Sequence, residues 1–186
     1  MRRRYIVTIL TAIGVVGYLA VDDKQLGPIS NAQQAIQQEP DYIIKGLKAR
    51  HYNVDGQLDR TIQASTAHHY PFDDRTKLLA PALTLHQGEQ SQWQVSSQQG
   101  KLLQGETLEL DGDVQVSPQQ QDAGIFSLNT QHLSIDLKQQ IADTDESVVI
   151  SSPSTKLTAT GMKLDMVKQQ ASFKSHVRGI HNPNAQ

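Results

Sequence analysis

Two patterns of apolar and polar positions divide the chain. The first is an uncharged run from Tyr5 to Val21, preceded by Arg2, Arg3 and Arg4 and closed by Asp22, Asp23 and Lys24. As a helix, these 17 residues cover about 26 Å at ~1.5 Å per residue, enough for one crossing of a bilayer. Tyr5 and Tyr18 fall near the two ends, where amphipathic rings favour the interface. The pattern predicts one N-terminal transmembrane helix over residues 5–21, with residues 1–4 as a cytoplasmic tail and the rest of the chain on the far side. A cleavable signal peptide shares the basic start and apolar stretch. Its small-x-small cleavage site is poorly formed here: Tyr18 stands two places before Ala20, and Val15 two before Gly17.

The second pattern begins at Tyr42, after a polar stretch that includes Gly27, Pro28 and the Gln-rich residues 33–38. Residues 22–41 read as a linker. From Tyr42 the apolar period is two, so one face of each strand is apolar and the other wet. Tyr42–Tyr52, the turn Asn53–Gly56 and Gln57–Thr66 read as a β-hairpin. Four segments then share an opening pattern, starting at Ile62, Trp93, Phe126 and Leu157, with spacings of 31, 33 and 31 residues. Turns are expected at Pro71–Arg75, Asp111–Asp113, Gln121–Gly124 and Asp143–Ser147. Repetition without a helical stripe predicts an all-β, elongated domain over residues 42–181, with unpaired strands at both ends and a polar tail at 182–186.

Composition narrows the chemistry. There is no cysteine, which removes disulfides, thiolate metal sites and thiol nucleophiles. A formal net charge of −2 gives no general reason to bind nucleic acid. The chain carries no GxSxG, SxxK, HExxH, Walker A or GxGxxG pattern, so no enzyme and no cofactor is expected. No metal site is expected either. His68 and His69 are adjacent, and neighbours on a strand point to opposite faces. Asp111-Gly112-Asp113 reads first as a turn rather than a calcium loop. Trp93 and Phe126 read as core fillers, and alternation alone leaves open whether the interior is closed or a groove.

Glu39-Pro40-Asp41-Tyr42 leading into Tyr52-Asn53-Val54-Asp55-Gly56, then Trp93-Gln94-Val95, the run Leu108–Val116, and Gly161-Met162-Lys163-Leu164 stand in this order after the apolar segment. Together they resemble the LptC family of lipopolysaccharide export proteins. The chain departs in having Thr160 before Gly161 and in its Gln-rich linker. The resemblance implies a single β-jelly roll, V-shaped in section and open at both ends, with an apolar groove for the acyl chains of lipopolysaccharide. It also implies a single-pass inner-membrane protein with a periplasmic domain. Its implied partners are the LptB–LptF–LptG exporter and the periplasmic bridge protein LptA.

Physical chemistry fits a carrier: each acyl methylene left in water costs ~0.8 kcal/mol, so a chain of about a dozen carbons costs on the order of 10 kcal/mol. Residues two apart on a strand share a face, and matching offsets in the repeats select candidate groove residues. These are Leu47, Leu78, Leu85 and Trp93 from the first half, and Phe126, Leu128, Leu164 and Phe173 from the second. The last strand, about Ser172–Arg178, is the expected partner-binding edge, carried by Phe173, Ser175 and Val177. Two other readings remain: a secreted soluble bridge of the LptA type, and a structural β-solenoid with a dry core.

Overall fold

The computed structural model describes residues 39–87, 90–119 and 126–182. The anchor at 5–21, the tail at 1–4, the linker up to residue 38, the turn at Gln121–Gly124 and the tail from 183 lie outside the described residues. The chain divides between Glu39 and Pro40, and the described strands all lie in the second unit.

That unit is a run of eleven strands. They are β1 (Tyr42–Tyr52), β2 (Leu58–Tyr70), β3 (Arg75–Leu79), β4 (Ala82–Gln87), β5 (Gln90–Ser96) and β6 (Gln99–Leu103), followed by β7 (Thr107–Pro118), β8 (Ser127–Asp136), β9 (Ile141–Ser151), β10 (Thr155–Asp165) and β11 (Gln170–His181). All pairings among them are antiparallel. The expected hairpin is present: β1 and β2 run alongside each other from Tyr42↔His69 to Tyr52↔Leu58. Asn53 builds its turn, its side-chain oxygen accepting from the Asp55 and Gln57 amides at 3.0 and 2.9 Å.

The sheet folds along a crease. β3 and β4 are separated by Ala80 and Pro81, and β5 and β6 by Ser97 and Gln98. Each pair is thus a long strand broken at its middle. The unbroken strands β2 and β7 pass through the same line. The later half of β2 pairs with β3 and its earlier half with β4, while β7 pairs with β6 and then with β5. Two leaves result, one containing β3 and β6 and the other β4 and β5. β8 to β11 continue both leaves in order, so β1 and β11 are the two outer edges. This is the jelly-roll architecture that the family resemblance implied, built as a bent meander.

The crease corrects two expected turns. Asp111-Gly112-Asp113 lies inside β7, where Gly112 and Asp113 have φ of 78° and 47° and the register with β8 shifts. The Asp-Gly chemistry that closes hairpins here makes a bulge, because both occasions need a left-handed backbone. Asp143–Ser147 likewise lies within β9, at the shift where it passes Gly161 of β10. Side chains stitch the line: the Gln98 amide group donates to Asp113 at 2.6 Å, and the Ser65 hydroxyl to the Leu79 carbonyl at 2.8 Å. Between the leaves lies one apolar core, in which Leu85, Val95, Leu108, Val116, Leu133 and Ile135 have no measurable exposure.

Candidate lipid path and strand edges

The eight candidate groove residues come from both leaves and share one interior. Leu85, Trp93 and Leu128 belong to the β4–β5 leaf, with Phe126 next to the start of β8, whereas Leu78, Leu164 and Phe173 belong to the β3–β6 leaf. Leu47 on β1 pairs with the buried Ala64. Leu78, Leu85, Trp93, Leu128 and Leu164 are buried, and Leu47, Phe126 and Phe173 are partly buried against the same core. The interior is therefore packed in this conformation rather than held as an empty trough. The Trp93 indole donates to the Met166 carbonyl at 2.9 Å, which satisfies its polar edge, and Phe126 meets its ring edge-on at 6.0 Å.

The interior is as apolar as it is full. The buried polar side chains among the described residues are Thr61, Thr130 and Thr144. Among those residues no group of three His, Asp or Glu side chains could hold a metal ion, and no helix is long and apolar enough to cross a membrane.

Burial runs out at the two edges. Ile44 on β1 pairs with Ala67, which is 1% exposed, yet Ile44 is 38% exposed. On β11, Phe173 pairs with the buried Met162 and Ala171 with Leu164. Val177 lies two places from Gly179, the partner of the core-packing Leu157, and is 55% exposed. Both edge strands thus carry inward apolar side chains that no further strand among the described residues covers. Of the three expected partner-edge residues, Phe173 and Val177 sit on the inner face, and Ser175 pairs with Thr160 next to the bulge at His176. Each edge strand is cationic, with Lys45, Lys48 and Arg50 on β1 and Lys174 and Arg178 on β11, and neither holds an acidic residue. The Lys174 ammonium is pushed above its ordinary range chiefly by hydrogen bonds to Asp145 and Asp143, at 2.7 and 2.9 Å.

The pattern along the chain missed the contacts that join the far rims of the leaves. The Arg60 guanidinium donates to the Leu137 carbonyl at 3.3 Å, and the Gln140 amide donates to Asp59 at 3.3 Å. Asp59 also pairs with Arg60 at 2.9 Å and with His51 at 3.3 Å. A hollow of ≈ 640 Å³ adjoins these groups, lined in part by His51, Arg60, Glu106 and Lys138. One signal was available: Arg60 falls on the same alternation as Ile62 and Ala64, which marks a charge pointing inward at the mouth.

The family profile described as "Lipopolysaccharide-assembly, LptC-related" matches residues 5–182. The chain belongs to the LptC-related family. It is similar to the lipopolysaccharide export system protein LptC of Haemophilus influenzae, with 21% identity and 79% of each chain covered. Its fold is similar to the crystal structure of LptH, the LptA-homologous periplasmic component of the lipopolysaccharide transport device of Pseudomonas aeruginosa. That match has a TM-score of 0.53 at 10% identity, and covers 67% of this chain and 95% of the other. Lipopolysaccharide transport is therefore the business of the family to which this β-jelly roll belongs.

Proposed function

We propose that the chain is an inner-membrane-anchored periplasmic carrier. It receives lipopolysaccharide from the LptB–LptF–LptG exporter, holds its acyl chains between the two leaves and hands them to LptA across the β11 edge. The anchor is the segment Tyr5–Val21, retained after insertion, with the folded domain in the periplasm. The observation that carries this reading is the continuity of the apolar interior with the uncovered inner faces of β1 and β11. An apolar path that ends at two edge strands, each paired on one side among the described residues, suits a molecule that passes chains from one β-domain to the next. The family membership and the LptA-like fold support the same reading.

The test is light-activated crosslinking to lipopolysaccharide from photoreactive residues placed at Phe126 and Phe173, in full-length protein reconstituted with the exporter. Nucleotide-dependent crosslinks at both positions are expected. The near-complete burial of Leu85, Leu128 and Leu133 favours a second reading, a structural domain with a permanently dry core. A folded protein that never crosslinks at either position would select that reading. Intact-mass measurement of the membrane fraction tests the anchor, and a mature chain beginning near Tyr18 or Val21 would replace it with the soluble-bridge reading.

A further inference from the structure

Two boundaries enclose the interior, and they are built differently. Along the crease the backbone itself joins the leaves, strand after strand. Across the opposite rims no strand pairing joins them among the described residues. Among the described residues three side chains close that mouth: Arg60 to the Leu137 carbonyl, Gln140 to Asp59, and Trp93 to the Met166 carbonyl. The first two bonds are 3.3 Å long and only part-buried. Each spans 73 residues of sequence or more, so they tie together segments that the sheet leaves independent. The crease, by contrast, holds its positive-φ positions at Ala80, Gly112, Asp113 and Gly161, where a bent strand can turn about a fixed line.

We propose that this mouth is the loading port for acyl chains, and that Asp59, Arg60 and Gln140 form the latch that keeps it shut. The inference rests on the carrier reading and adds where the lipid crosses into it. While the mouth is shut, a lipid with several chains on one polar head that threaded end-on would drag the head through apolar surroundings. Sideways loading lets the chains pass while the head stays in water. The hollow beside the latch offers the head a polar place of mixed charge, with Arg60, Lys138 and His51 on its wall beside Asp59 and Glu106. An anionic group on the head competes there with the Leu137 carbonyl for Arg60, which loosens a bond across the mouth as the lipid arrives.

The chain has no cysteine, so a pair introduced as Asp59→Cys and Gln140→Cys reacts alone. A short bis-methanethiosulfonate bridges the pair in the full-length protein, and a reductant releases it. Lipopolysaccharide crosslinking is read from a photoreactive residue at Phe126, with thermal melting as the check on folding. Bridged protein is expected to fall to the level of a sample kept dark, and reduction to restore the yield. Bridged and released proteins that crosslink equally would overturn the port, because the chains then enter at the ends. Absence of crosslinking in the unbridged parent would overturn the carrier reading and the port with it. A second variant, Gln140→Ala, removes one latch bond without any bridge. It should raise the initial loading rate about threefold, the effect of losing a bond of this kind. An unchanged rate counts against the latch.

Discussion

β8 and β11 carry the same kind of sequence and meet different fates. Both alternate apolar and polar residues, and both lie in the same sheet. On β8, Leu128, Leu133 and Ile135 are 1%, 0% and 0% exposed, whereas on β11 Val177 is 55% exposed and Phe173 only partly buried. β8 has β7 and β9 on its two sides, and among the described residues β11 has β10 alone. Alternation assigns a side chain to a face. Burial additionally requires neighbours on both flanks, and among the described residues β11 has a neighbour on one flank alone. In a carrier the incomplete flank is where a partner strand and a lipid chain would complete the burial.

The sharpest way to break this comparison is to place one charge in each strand. Leu128→Asp should cost about 4 kcal/mol or more, because it removes a buried leucine and leaves an unpaired carboxylate in the core. Phe173→Asp should cost under about 2 kcal/mol, since water reaches the edge. Thermal or denaturant unfolding of the two variants checks the ratio. Equal collapse at both positions would mean that β11 is as much a part of the core as β8.

A smaller effect sharpens the comparison next to the edge. Gly161 of β10 has φ of 72°, and a Cβ there would stand 2.6 Å from the Lys174 side chain of β11. Gly161→Ala should therefore destabilise by about 2 kcal/mol, from the left-handed backbone and from displacing Lys174. The Lys174 bridges to Asp143 and Asp145 should loosen with it. A melting temperature within error of the parent would show that the bulge tolerates a side chain.

Smaller still is the expected stability loss in Ser175→Pro. Proline is tolerated on edge strands, where a missing donor leaves no central ladder broken. The same substitution kinks the strand and should abolish capture of LptA in a pull-down while the domain stays folded. Retained capture would move the partner surface away from β11.

Much of this was legible in the sequence because alternation and turn chemistry act locally. The hairpin at Asn53–Gly56, the inward faces and the two open ends all follow from period two and from repeats near 31 residues. Asp111-Gly112-Asp113 and Asp143–Ser147 read as turns in the sequence because a hairpin and a bulge draw on the same left-handed residues. What separates them is whether the chain reverses or continues, and that depends on neighbouring strands. The latch was illegible for another reason. Asp59 and Arg60 meet Leu137 and Gln140 only after the leaves have folded together, and no local pattern records that meeting.

The smallest expected effect concerns the other edge, where β1 begins. His69 lies between Asp41 at 2.7 Å and Asp74 at 3.2 Å, and the Tyr42 ring stacks on it at 4.6 Å. The Asp41 amide also donates to the His69 carbonyl at 3.1 Å, so the imidazole fastens the first residues of β1 to β2. The hydrogen bond to Asp41, then that to Asp74, raises the His69 pKa above its ordinary 6.5, against a smaller lowering from lost solvation. A raised folded-state pKa means that the imidazolium's stabilisation is fully present below pH 6.5 and is lost as pH rises through the folded value. The amides of Asp41 and Tyr42 should therefore lose hydrogen-exchange protection above pH 6.5, after correction for base-catalysed exchange, while those of β8 hold theirs. His69→Gln should flatten the profile at β1 and leave β8 unchanged. A parent and variant with the same pH profile, or a parent midpoint below 6.5, would show that the first turn of β1 is held by its strand pairing alone.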